Sequence, residues 1–155
     1  MLMALLKAAH VLAVVVWVGG MAFAHFCLRP SLGLLEPPAR VKLMHAVMGR
    51  FFSAVLWAAG VILISGLWMV GRAARQAAQS GGQFHWPLDW VVMTAVGLLM
   101  MALFGHIRFV LFKRLSVAVQ AGDVPAAATA LAAIRPWVAL NLGLGLALIA
   151  LVLVY

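Results

Sequence analysis

With 155 residues, 67% of them hydrophobic and only 9% charged, the chain carries more apolar surface than a soluble fold of its size can bury. Eleven Lys and Arg against three acids give a net charge of +8, but the basic residues flank apolar runs and form no stripe or tail, which excludes nucleic acid as the partner. Cys27 is the only cysteine, so an intrachain disulfide and a cysteine-held zinc or iron–sulfur centre are excluded as well.

Four continuous apolar runs follow one another, at about 5–28, 51–71, 90–112 and 136–155. Each is long enough to cross a hydrocarbon core of roughly 30 Å at 1.5 Å per residue, and none alternates as a membrane β-strand would. The expected fold is an all-α, antiparallel four-helix transmembrane bundle forming a single membrane domain. The first run holds His10, Trp17, Gly19-Gly20 and His25, and ends at Arg29-Pro30. Ala22-Phe23-Ala24 resembles a signal-peptide cleavage site, yet the polar and glycine interruptions upstream favour a span. Between the first and second runs, Glu36-Pro37-Pro38-Ala39-Arg40 reads as a helix breaker. The polar, glycine-bearing loop QAAQSGGQFHWP carries His85 and leads into the third run, which ends near His106 and Arg108. Asp123 as N-cap with Pro125 in the first turn predicts a short surface helix before Arg135-Pro136 opens the fourth run.

With four spans, Arg29, Arg40, Lys42, Arg50, Arg108, Lys113, Arg114 and Arg135 lie at one face and only Lys7, Arg72 and Arg75 at the other. The excess marks the cytoplasmic face, so both termini are expected on the periplasmic side of a bacterial inner membrane.

An ionisable residue inside a span is a functional candidate. Taking span-end charges as interface markers, His25 lies roughly 6 Å and His106 roughly 3 Å below the cytoplasmic boundary, on the first and third helices. Two imidazoles at matched depth suit haem iron or copper in a bundle core, with Arg108 an anchor or a partner for a haem propionate. His10 lies near the outer face, level with Met69 and within reach of His85; His with thioethers suits a haem or Cu(I). His45 reads as a residue outside the membrane, and Asn141 as an interhelical hydrogen-bonding group. The acids Glu36, Asp89 and Asp123 all lie in loops or at span ends, which disfavours a carboxylate-driven pump, and no nucleotide or zinc-protease motif occurs.

Several short motifs resemble the CopD-like proteins, bacterial inner-membrane proteins named for copper resistance and uptake. They are His10 with Trp17 and Gly19-Gly20, Leu28-Arg29-Pro30, Leu35-Glu36-Pro37-Pro38 with Arg40, Arg50-Phe51-Phe52, Phe104-Gly105-His106, and Ile134-Arg135 with Asn141-Leu142-Gly143. His10 followed by Trp17 also resembles the HemJ family of four-helix, haem-binding protoporphyrinogen oxidases, in which His10 and His106 match histidines of the first and third spans. HemJ proteins carry a third-span lysine where this chain reads VVMTAVGLLMM. The resemblance to HemJ implies His10 and His106 as functional histidines, whereas depth pairs His25 with His106; two sites, one per leaflet, reconcile the two. The leading expectation is therefore haem b held in the bundle, with electron transfer in or across the membrane to a periplasmic or quinone partner, and oxidoreductase activity if the chain is an enzyme. The alternatives are a copper-binding protein for uptake or resistance and a cofactor-free membrane scaffold; homodimerisation through glycine-bearing faces fits any of these.

Overall fold

A computed structural model describes residues 1–81 and 85–154. Residues 82–84 of the second connection and Tyr155 at the end of the fourth expected span lie outside them. Four helices account for the architecture: α1 (Leu2–Leu34), α2 (Pro37–Gln79), α3 (Leu88–Gln120) and α4 (Val124–Val154), each long and apolar enough to cross a membrane. Among the described residues there is no strand. α1 packs chiefly on α2 and α3 on α4, and both α1 and α2 also touch α4.

The helices extend well beyond the apolar runs. α2 has 43 residues, about 64 Å at 1.5 Å per residue and so about twice the thickness of a hydrocarbon core. It begins at Pro37, where the sequence suggested a break. Glu36 is the extended N-cap residue and its carbonyl accepts from the Arg40 amide at 2.9 Å. Prolines in the first turn lack only N–H groups that have no helical partner there, so Pro37-Pro38 start the helix. The expected surface helix is likewise continuous with the fourth span. Asp123 caps it, its Oδ1 accepting from the Ala126 amide at 2.9 Å, and α4 then runs through Pro136 to Val154. The turn before it closes on Gly122 at φ +70°, with the Asp123 amide donating to the Ala118 carbonyl at 3.0 Å.

Three stretches wind more widely, as π-helix: Val15–Gly19 and Ala24–Leu28 in α1, and Ile107–Leu111 in α3. The second lies directly before Pro30, whose ring would collide with the carbonyl one turn back in a regular helix. Each wide turn rotates the faces of the residues that follow it, which matters below for His25 and Arg108.

A chain of aromatic rings forms the core. Trp17 of α1 meets Phe104 of α3 edge-on at 5.7 Å, Phe104 meets Phe52 of α2 at 5.8 Å, and Phe52 meets Phe112 of α3 at 5.2 Å. Trp17, Phe52, Phe104 and Phe112 are all buried. Two glycines permit the close approach. A methyl group on Gly20 would fall inside the Phe51 ring, and one on Gly145 would stand 2.9 Å from Val18 and 3.1 Å from the Met100 methyl. Gly19, beside Gly20, has nothing within 4 Å of such a group. Gly20→Leu is therefore expected to destabilise the bundle by about 1–3 kcal/mol through overpacking, and Gly19→Leu to leave it nearly unchanged. Thermal unfolding in mild detergent compares the two directly.

Candidate functional site

His10 lies on the α1 face that packs against α2. Its Nδ1 is 2.9 Å from the Ser65 hydroxyl, and its Cε1 lies 3.7 Å from where a side chain on Gly66 would begin. Ser65 is buried, and its hydroxyl points at the Val61 carbonyl at 2.6 Å. A hydroxyl has one proton, and that short bond uses it. The bond to His10 must then run the other way, with Nδ1–H donating to the Ser65 oxygen. This tautomer leaves Nε2 unprotonated, with the Ile62 backbone also beside the ring. Met69, one turn beyond Ser65 and half-buried, lies on the same face of α2. Met3, two turns before His10 and also half-buried, lies on the facing stripe of α1.

His45 follows the same design at the opposite end. It is half-buried in the part of α2 that precedes the apolar run at 51–71. Its Nε2 is 2.9 Å from the Ser116 hydroxyl, which also lies 3.0 Å from the Phe112 carbonyl. The ring stacks on Phe112 at 5.1 Å with an interplanar angle of 10°, joining the aromatic chain of the core. Arg108 lies over that ring too, 5.3 Å from its centroid, and its Nε is buried without a partner.

The remaining candidates are dispersed. His25, half-buried in the second wide turn, meets only its neighbour Phe26, at 4.9 Å. His106 is exposed on the outer surface of the bundle, its ring 5.1 Å from that of Trp137. The two histidines expected at matched depth share neither a ring contact nor a hydrogen bond. His85 is exposed just before α3. Among the described residues, no three His, Cys, Asp or Glu side chains come together as a chelating group. Asn141 is buried, and its Nδ2 donates to the Met100 carbonyl across helices at 3.4 Å, while its Oδ1 has no partner.

Between the two histidine–serine pairs lie thioethers. Met21, Met48 and Met100 are buried together with Trp17 and Phe52, and Met44 and Met101 pack against them. From the contacts already given, the order along the bundle is His10 with Ser65, then Met100 beside Val18 and Gly145, then Met21 one turn from Trp17, then Met48 and Met44 one and two turns from Phe52. Buried and half-buried sulfur is thus distributed along the interior between the two pairs.

A cavity of about 410 Å³ opens at the His45 end, lined by His25, Arg29, Arg40 and Arg135 and floored by apolar side chains including Met44, Met48 and Phe51. No carboxylate lines it. Arg40 gives one bond, from Nη2 to the Leu35 carbonyl at 3.1 Å, and its Nε is buried without a partner. The two serines and this arginine grouping were not singled out from the sequence. Ser65 stands alone in the apolar segment ILISGL, which is a visible signal, but Arg29, Arg40 and Arg135 are far apart in the chain and meet only through helix packing.

The family model described as CopD, copper resistance protein D, matches residues 45–155, well over half of the chain. No curated protein and no solved structure matches. The description names copper; haem and electron transfer, expected from histidine depth, gain no support from it.

The assignment of the His10 tautomer has a direct readout. Nitrogen NMR of labelled imidazoles should place His10 with a protonated Nδ1 and a bare Nε2, and Ser65→Ala should return it to a mixture. The same substitution removes one interhelical hydrogen bond and should lower stability by roughly 1 kcal/mol or less.

Proposed function

We propose, from the premise that this chain belongs to the CopD, copper resistance protein D, family, that it conducts copper through the membrane as Cu(I). The chain is a multi-pass protein of the inner membrane, and copper is its cargo rather than a resident cofactor. The observation that carries the reading is the His10–Ser65 bond, which leaves Nε2 as a bare donor on a wall continuing to Met69.

The donor set suits Cu(I). Imidazole and thioether are ligands it prefers, and it needs no carboxylate cage. Hard divalent ions would need oxygen donors, and Glu36, Asp89 and Asp123 all stand at helix ends. The sole thiol, Cys27, is exposed and takes no part in the interior. His10 with Met69, and Met3 on the facing stripe, form the entrance. Met100, Met21, Met48 and Met44 pass the ion along, and His45 receives it. Neutral ligands hold a monovalent cation weakly at each step, which conduction requires, since an ion must leave each site as readily as it enters. Trp17 and Phe52 add ring faces along the same route. By the excess of Lys and Arg the His45 end faces the cytoplasm and both termini the periplasm, so the route joins the two compartments.

Purified protein in mild detergent should bind Cu(I) in about stoichiometric amount, measured by competition with a coloured cuprous chelator, and should stay colourless. His10→Ala should weaken binding at least tenfold, while Met48→Leu and Met100→Leu should leave it nearly intact yet slow copper entry into proteoliposomes several-fold. A wild-type chain that takes no Cu(I), or one that after haem supply shows a Soret band with sharp dithionite-reduced bands, would reject the copper reading.

A further inference from the structure

The cavity at the His45 end has a composition the copper route does not use. Arg29, Arg40 and Arg135 come from α1, α2 and α4 and line one space of about 410 Å³. No carboxylate pairs with any of them. Among the described residues, positive charge from three helices is thus gathered around one space with no carboxylate lining it. Arg40 is oriented by its bond to the Leu35 carbonyl, yet its Nε is removed from solvent and unpaired. A guanidinium with a buried, unsatisfied N–H lacks an acceptor, and an anionic oxygen supplies one best.

The rest of the lining decides the kind of anion. Beyond the arginines the walls are apolar, with Met48, Phe51 and Val138 among them. A small, fully hydrated anion gains nothing from such walls. We infer that this cavity is a binding site for an anionic phospholipid, its phosphodiester seated among Arg29, Arg40 and Arg135 and an acyl chain laid along Met48, Phe51 and Val138. The volume lies within the roughly 300–1,000 Å³ usual for ligand pockets, and the basic end of a bundle is where an anionic leaflet meets it. His25 lines the same cavity and can hydrogen-bond the headgroup. The inference rests on the arginines and not on the copper reading, although Met44 and Met48 border both the cavity and the proposed route.

Native mass spectrometry of the detergent-purified full chain tests it, with phosphatidylglycerol, phosphatidylcholine of the same acyl chains, and inorganic phosphate as probes. Wild type should retain one phosphatidylglycerol and little phosphatidylcholine. The double variant Arg29→Gln/Arg135→Gln should bind roughly 10- to 30-fold more weakly, and Arg29→Lys/Arg135→Lys should recover much of the loss. Arg72→Gln/Arg75→Gln, at the other end of the bundle, should bind as wild type does. Should the Gln double variant fail to fold, Arg135→Gln alone, at an exposed side chain, should still weaken retention several-fold. Equal retention of phosphatidylcholine, indifference to the Gln substitutions, or displacement of phosphatidylglycerol by millimolar inorganic phosphate would each overturn the lipid site.

Discussion

The contact on which the bundle depends is the edge-on meeting of Phe52 with Phe104 and Phe112, extended to Trp17. In lipid the hydrophobic effect does not distinguish one apolar helix face from another, so close van der Waals fit must set the packing. Phe52 is almost entirely buried and touches two rings of α3, which fixes how α2 and α3 slide past each other. Trp17 transmits the same register to α1 through Phe104. Gly20 and Gly145 give way where these rings and Val18 need room. Once that register is set, His10 falls opposite Ser65 and His45 opposite Ser116, so both polar pairs follow from apolar fit.

Much of the fold is legible in the sequence because a membrane demands a long, continuous apolar stretch wherever a helix crosses it. The four spans, the cap at Asp123 and the interhelical role of Asn141 all follow from local rules. Helix ends are less legible, because a membrane sets where apolar residues stop and not where a helix stops. Pro37-Pro38 illustrates this: the same residues that break a helix interior open one, and only the chain before them decides which. Histidine placement was half legible. Depth can be counted from charges, but the face a residue presents depends on helix rotation, and the wide turns at Ala24–Leu28 and Ile107–Leu111 alter that rotation without a sequence signature. His25 and His106 are therefore close in expected depth yet share no contact, whereas His10 and Ser65, on separate helices, meet.

The serine partners change how the histidines should be valued. A lone histidine on an apolar helix is an expense unless a neighbour satisfies one nitrogen. Both half-buried pairs do this with a hydroxyl that also bonds its own helix carbonyl. The consequence is chemical: one ring nitrogen of each histidine is engaged by the fold. His106, lacking such a partner and facing outward against Trp137, has no comparable arrangement.

The two ends of the interior also differ electrostatically, and the difference constrains any traffic between them. At the His10 end Lys7, Arg72 and Arg75 are spread over two helices, whereas the other end gathers three arginines in one cavity beside Met44 and Met48. A cation descending the methionine ladder would meet rising positive potential just before leaving, which in a low-dielectric surrounding is a steep barrier. The barrier falls if an anion occupies the arginine cavity, because each guanidinium then faces a phosphate oxygen instead of the passing ion. Lipid at that position would therefore do more than seal a gap between helices: it would set the potential at the exit, and copper release would depend on the charge of the surrounding leaflet.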